Sequence, residues 1–338
     1  MHKKWRPTLA YAFAHFAVDF GCAFAMFSAC RNTPICYLLY NFCAFAMQMP
    51  MGLLADMLNR NRIFSLLGAA LVGLVCCLPS FGWIGAIILG LGNGLFHIGG
   101  GLDVLNLSRN RAAPLGVFVS PGAFGIYLGT ILGGAGLSPL PILAVLLASC
   151  VGILLFCRSA DLPDNGSLEL PDRRVLPCAV LLFLVVVLRS YGGMTAAFPW
   201  KTGFWSLAAV SAVVFGKTLG GFLSDRFGLF PSAAISLILC AVLFCFSGSA
   251  VPGLLALLLF NMTMPMTLFA LAQNMPGAKG FSFGLLTFAL FLGFLPVYLG
   301  AGTIAGPGMA LVAVASALFL LPGLRICRKV QPSEKECL

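Results

Sequence analysis

The sequence predicts an all-α integral membrane protein of twelve transmembrane helices in two pseudo-symmetric six-helix bundles. Three observations carry this prediction. Charged residues make up 9% of the 338-residue chain and hydrophobic residues 60%, against roughly 25% and 45–50% in soluble proteins. So few charges cannot cover a soluble surface, so lipid must meet much of the exterior and the spanning elements must be helices whose backbones are satisfied internally. Second, Gly52-Leu-Leu-Ala-Asp56-Met57-Leu-Asn59-Arg60-Asn-Arg62 returns downstream as Gly221-Phe-Leu-Ser-Asp225-Arg226-Phe-Gly228, with Asp56 and Asp225 separated by 169 residues, half the chain. A single fixed offset of that size reads as two related halves in tandem. Third, the net charge is +10, and of 20 Lys and Arg only Arg31 and Lys201 fall at the second set of span ends, while Arg189 and Lys217 lie inside spans. The positive-inside rule then places the basic ends and both termini in the cytoplasm of a cell whose plasma or inner membrane the chain crosses. It accounts for the charge without a nucleic-acid partner.

Taken in order, apolar spans fall near 8–28, 35–55, 63–80, 82–104, 113–134 and 139–157, then near 175–198, 204–224, 230–248, 252–272, 280–300 and 304–323. Each is close to the ~20 residues that cross a hydrocarbon core. The first span has the basic start and apolar run of a signal peptide, but His15 and Asp19 inside it, and no small-x-small cleavage site, mark it as retained. In the fifth, Gly125, Gly129 and Gly133 recur on one face, a pattern suited to close helix packing. Residues 158–174 form the one long polar stretch, with Pro163, Asn165 and Gly166 as breakers. The predicted organisation is a bundle over 1–157, a cytoplasmic loop over 158–174, a second bundle over 175–324 and a polar cytoplasmic tail over 325–338. The thirteen cysteines are scattered through apolar segments as small hydrophobes are; Cys30 and Cys36, flanking the first outer loop, are the pair the sequence offers for a disulfide. Met262, Met264 and Met266 beside Pro265 read as packing.

An ionisable side chain at the bilayer centre costs about 2.5–3.5 kcal/mol on insertion scales, which makes it a functional candidate by default. Five such residues stand out: His15 and Asp19 in span one, His97 in span four, Arg189 in span seven and Lys217 in span eight. His15 and Asp19 are four apart and share a helix face. The repeat offset orders them further. Adding 169 to Gln48 reaches Lys217; from Asp19 it falls one short of Arg189, and from Asn93 one past Asn261. Structural readings stand beside the functional ones: His15 bonded to a backbone carbonyl, His97 packed among glycines, Asp19 and Arg189 as an ion pair, Lys217 snorkelling to the surface, and Asn93 and Asn261 as interhelical glue.

The two Gly-x-Leu-x-Asp copies resemble the loop signature between the second and third helices of each half in the major facilitator superfamily. The second copy matches well; the first has Met57 in place of Arg and Asn59 in place of Gly. The resemblance implies the major facilitator fold, with paired helices facing a central cavity and alternating access by rocking of the halves. It places Asp19, Gln48 and Asn93 opposite Arg189, Lys217 and Asn261. Ser120-Pro121-Gly122 partly resembles the Gly-Pro element of antiporters in the superfamily. Further motifs resemble its fosmidomycin-resistance branch: His15-Phe-Ala-Val-Asp19, Phe96-His97 before glycines, Arg189-Ser190 with Phe198-Pro199, and Ala272-Gln273-Asn-Met-Pro276-Gly277 leading to Gly280-Phe-Ser282-Phe-Gly284. That resemblance implies proton-driven export of a small, often anionic, organic compound.

The expectation is therefore a monomeric secondary transporter, not an enzyme, that uses no cofactor or metal. It moves a small phosphonate- or carboxylate-like anion with protons as coupling ion. Arg189, Lys217, Asn93, Asn261, Gln48 and His97 are the candidate substrate ligands. Asp19 and His15 are the proton-coupling pair, and Asp56, Arg60, Asp225 and Arg226 the conformational latch. Import by proton symport and an intramembrane enzyme remain as alternatives, although the chain has neither a His-Glu-x-x-His nor a Gly-x-Ser-x-Gly pattern.

Overall fold

The computed structural model describes residues 2–30, 33–78, 80–158, 163–169 and 172–330. Arg31, and residues 331–338 of the expected tail, lie outside the described residues. Twelve main helices follow one another: α1 (His2–Ala29), α2 (Pro34–Leu58), α3 (Asn61–Cys76), α4 (Trp83–Ser108), α5 (Ala113–Gly134) and α6 (Leu140–Phe156), then α7 (Leu176–Thr195), α8 (Phe204–Phe227), α9 (Leu229–Cys245), α10 (Ala250–Asn274), α11 (Lys279–Tyr298) and α12 (Gly306–Val330). Among the described residues nine are long and apolar enough to cross a membrane, and α3, α6 and α9 are shorter apolar helices. Leu9, Ile63, Leu147, Ile238 and Leu318 are exposed on the exterior, where lipid replaces water as the solvent.

Three of the helices are interrupted, each just before a proline. Helix α2 passes through a π-helical turn at Phe42–Ala46 ahead of Pro50, α5 breaks at Ser120-Pro121, and α10 breaks at Met262 ahead of Pro265. Proline has no N–H to give and its ring crowds the carbonyl four residues back, which here is that of Ala46, Val117 or Asn261. The freed carbonyls then need other donors.

Within the first half, α5 lies along α1. A Cβ at Gly125, Gly129 or Gly133 would run into the backbone of Phe16, Phe20 or Phe24, so the small-residue stripe is what lets the two backbones touch. The two halves meet along α2 with α11 and along α5 with α8, where Gly52 opposes the backbone of Gly280, Gly284 that of Gln48, and Gly221 that of Ala112.

One expected boundary is corrected, and three features that the sequence left open are decided. Helix α12 runs on to Val330, past the predicted start of the tail, with Arg325 stacked 4.7 Å over the Phe230 ring. Cys30 and Cys36 are free thiols, and the disulfide joins Cys178 of α7 to Cys327 of α12, Cα to Cα 5.9 Å. The stretch after α6 is docked rather than loose. Asn165, 5% exposed, donates to the Ala55 carbonyl at 2.8 Å and exchanges hydrogen bonds with the Asn61 side chain. Finally, the departures in the first loop signature have a conformational explanation. Asn59 ends α2 in the left-handed helical conformation, φ 49° and ψ 46°, which asparagine tolerates, whereas Gly228 ends α8 at φ 91° and ψ 153°, which only glycine adopts readily. The Asn59 side chain adds what glycine lacks, a bond to Asp164 at 2.7 Å and one from the Asn165 amide at 3.1 Å.

Candidate functional site

A cavity of about 500 Å³ lies between the halves. Its lining includes His15, Asp19, Gln48, His97, Arg189, Lys217 and Asn261. It extends to Phe27, Tyr37, Met194 and Tyr298, which sit at helix ends on the face away from Asp56 and Asp225.

The break in α5 shapes the centre of the site. It leaves the carbonyls of Phe118 and Val119 at the end of a helical segment, where they lack intrahelical donors. Phe118 O accepts from His15 Nδ1 at 2.8 Å, and Val119 O accepts from Lys217 Nζ at 3.2 Å across the interface between halves. Gly122, the first residue after the break, comes so close to His15 and Asp19 that a Cβ there would collide with His15 Nε2 and Asp19 Oδ2.

His15 and Asp19, both buried, and the partly buried His97 form a trio. His15 Nε2 is 3.1 Å from Asp19 Oδ2 and 2.9 Å from His97 Nε2, and His97 Nε2 is 3.8 Å from Asp19 Oδ1. His97 Nδ1 meets the Asn93 carbonyl at 2.9 Å. No other His, Cys, Asp and Glu set among the described residues converges in this way. Asn93 does not line the cavity as expected of a substrate ligand. It lies behind Asp19 and donates to Oδ1 at 3.0 Å, because the glycines around it on α4 bring that helix against its neighbours. Asp19 and Arg189 form no ion pair; the carboxylate is taken by the two histidines of its own half. The lysine of α8 reaches into the cavity instead of snorkelling.

The opposite wall is cationic. Arg189 is 8% exposed, and its one side-chain hydrogen bond goes to Thr267 Oγ1 at 3.3 Å. Among the described residues neither Arg189 nor Lys217 forms an ion pair. Asn261, which lines the cavity, donates from Nδ2 back to Leu257 O at 2.8 Å, and Gln48 Oε1 has no hydrogen-bond partner among the described residues. The remaining walls are mainly aromatic and aliphatic, with Phe45, Phe283 and Phe294 among them, and Asn41 of α2 bonds to the Tyr298 hydroxyl of α11.

Beneath the cavity the halves are fastened together. Asp56 accepts from the amides of Gly280 and Phe281, both at 2.8 Å, at the N-terminus of α11. Asp225 accepts from Ala112 at 2.6 Å and Ala113 at 3.1 Å, at the N-terminus of α5. Each aspartate therefore caps a helix of the other half, where orphan N–H groups and the positive dipole end favour a carboxylate. The arginines of the expected latch do not share this contact. Arg60 and Arg226 are exposed, and Arg226 lies 5.4 Å over Phe227 of its own helix.

Sequence reasoning passed over a second buried carboxylate. Asp103 of α4 accepts from Asn61 Nδ2 at 2.8 Å and from the Tyr11 hydroxyl. Asn106 links the same network to Lys279 of α11 at 2.9 Å and to Asn165 at 2.9 Å. The readable signal was a carboxylate inside the predicted span 82–104, together with Tyr11, His15 and Asp19 recurring every four residues on α1.

The arrangement is that of the major facilitator fold. Solved structures similar to the chain include the major facilitator superfamily transporter FucP in the outward conformation, at 14% identity over 97% of this chain and 99% of that one with a TM-score of 0.65. A structure of the E. coli fucose:proton symporter FucP matches at 14% identity over 96% of this chain and 98% of that one with a TM-score of 0.63. The human organic anion transporter MFSD10 matches at 15% identity over 96% of each chain with a TM-score of 0.63. No protein-family model and no curated protein sequence matches the chain. The likeness is one of fold: a multi-pass membrane protein built as these secondary transporters are.

Proposed function

We propose that this protein is a secondary active transporter of a small organic anion, working by alternating access with protons as coupling ion. One observation carries the reading: Arg189 and Lys217 face the cavity without a carboxylate partner. Leaving two cations in a membrane interior costs roughly 5–7 kcal/mol on insertion scales, and Asp19 is engaged by its own histidines. A bound anion supplies the compensating charge. The Arg189 guanidinium offers a planar fork for a carboxylate or phosphonate, Lys217 a compact point charge, and the aromatic walls take an apolar body. Asn261 and Gln48 orient the ligand through uncharged hydrogen bonds.

The basic ends are the cytoplasmic ones in this reading, so the aspartate caps seal the inner side and the cavity faces outward, as in the FucP structure named for that conformation. The resemblance to the fosmidomycin-resistance branch supports efflux. The proton symport and organic anion transport in the names of the structural neighbours support coupling and substrate charge.

Flux in proteoliposomes against a panel of aromatic carboxylates, phosphonates and lipophilic cations, with and without a proton gradient, tests the proposal. Anions move and cations do not; Arg189→Lys binds more weakly because the fork is lost, and Arg189→Ala loses anion binding. A cationic substrate, or variants that bind the true substrate like the parent, would refute it.

A further inference from the structure

We infer that His15 and His97 hold one proton between their Nε2 atoms, with Asp19 as its counter-charge, and that this shared proton is the coupling ion. Its role in coupling rests on the transport reading above; its existence rests on geometry alone.

Both Nδ1 atoms face backbone carbonyls, His15 that of Phe118 at 2.8 Å and His97 that of Asn93 at 2.9 Å. A carbonyl oxygen only accepts, so each Nδ1 carries a hydrogen. A neutral imidazole has a single N–H, so two neutral rings would present bare lone pairs at both Nε2 atoms. Those atoms are 2.9 Å apart, a hydrogen-bond distance, at which facing lone pairs repel. One added proton turns the contact into an N–H···N bond between an imidazolium and an imidazole. The Asp19 carboxylate, 3.1 Å and 3.8 Å from the two Nε2 atoms, then brings the trio to zero net charge. Without the proton the trio carries −1.

The surrounding elements fit this assignment. On α1, Tyr11 is bonded away to Asp103, and Cys22 accepts from Asn93. Tyr40 of α2 lines the same cavity as an uncharged phenol. Helix α5 contributes only the Phe118 carbonyl and the Gly122 backbone. From the second half, Lys217 of α8 acts on both His97 and Asp19, and Arg189 of α7 on Lys217. The loaded trio no longer offsets these cations, so the cavity carries two uncompensated positive charges and favours an anion. By reciprocity the anion favours the proton. Proton and anion therefore load together, which favours proton symport over the efflux that the resemblance to the fosmidomycin-resistance branch supports, and His97 belongs to the proton site and not to the substrate ligands.

The test counts protons. The chain has three histidines, so His2→Ala leaves only the pair. In that protein, labelled with 15N-histidine in lipid nanodiscs, NMR at a pH of about 6, inside the window where histidines ordinarily titrate, should show two Nδ1–H groups and one strongly deshielded proton coupled to both Nε2 nitrogens. His97→Gln should remove the shared proton and leave His15 a neutral ring. Two protons on the four nitrogens, a full proton on each, or one equivalent of Zn2+ binding both Nε2 atoms would overturn the inference, the last making the trio a metal site. A wild-type protein that moves no organic anion would sink the transport reading while leaving the proton count to stand or fall by itself.

Discussion

Asp56→Asn should open the inner face. The two bonds from Asp56, each 2.8 Å, join the halves only while that face is closed. Asparagine keeps one acceptor oxygen and turns an NH2 toward the second amide, so one charge-assisted bond is lost, worth about 1.5–3 kcal/mol. The interaction of a full negative charge with the N-terminus of α11 goes as well, worth about 0.3–1 kcal/mol. Asp56 is 4% exposed, so water does little to soften either loss. The closed state should therefore weaken by about 2–4 kcal/mol relative to the open one, a shift of about 30- to 1,000-fold. Hydrogen–deuterium exchange offers a readout away from the substitution. The amides of Ala112 and Ala113, capped by Asp225, become accessible only when the halves part, and their exchange should accelerate by the same factor. Asp225 is exposed, so Asp225→Asn should give a smaller shift and an altered transport rate, with substrate affinity within a few fold. Unchanged exchange at Ala112 and Ala113 in Asp56→Asn, combined with a tenfold or greater loss of affinity, would show that the aspartates bind substrate and do not gate.

Three further outcomes follow from the same geometry. Asp19→Asn removes the counter-charge of the histidine pair; it should abolish gradient-driven accumulation in proteoliposomes while sparing counterflow exchange, and full accumulation would rule the role out. Gly122→Ala forces a methyl group onto His15 Nε2 and Asp19 Oδ2; coupling should fall at least tenfold with little change in thermal stability, whereas parental coupling would mean the trio is not held where the structure puts it. Asn165→Ala removes one hydrogen bond from the Ala55 carbonyl and those exchanged with the Asn61 side chain; the Asn59 amide and Asp103 remain as partners, so each lost bond costs about 0.5–1.5 kcal/mol, visible as faster proteolysis of the stretch around 163–169 and a lower melting temperature.

Much of the architecture was legible in the chain. Hydrophobic spans, the 169-residue offset and the basic span ends are one-dimensional patterns, and lipid leaves a polypeptide of this composition few ways to satisfy its backbone. Burial cost explains why His15, Asp19, His97, Arg189 and Lys217 could be picked out: a charge inside an apolar run is conspicuous whatever it touches. What each one touches depended on the fold. The resemblance to the major facilitator superfamily placed Asp19 opposite Arg189, but the break at Pro121 sends His15 and Lys217 to carbonyls of α5, and the tight packing of α4 puts His97 and Asn93 against Asp19. Both are contacts between segments about a hundred or fewer residues apart, set by where backbones can approach. The latch divides in the same way. The repeat exposed Asp56 and Asp225, while their bonding to helix N-termini of the opposite half, and the exclusion of Arg60 and Arg226, was decided only when the halves came together. Sequence by itself determined which residues lipid would not tolerate unpartnered; tertiary structure chose the partners, because a hydrogen bond is made by atoms within about 3 Å in space, and chain order does not encode that distance.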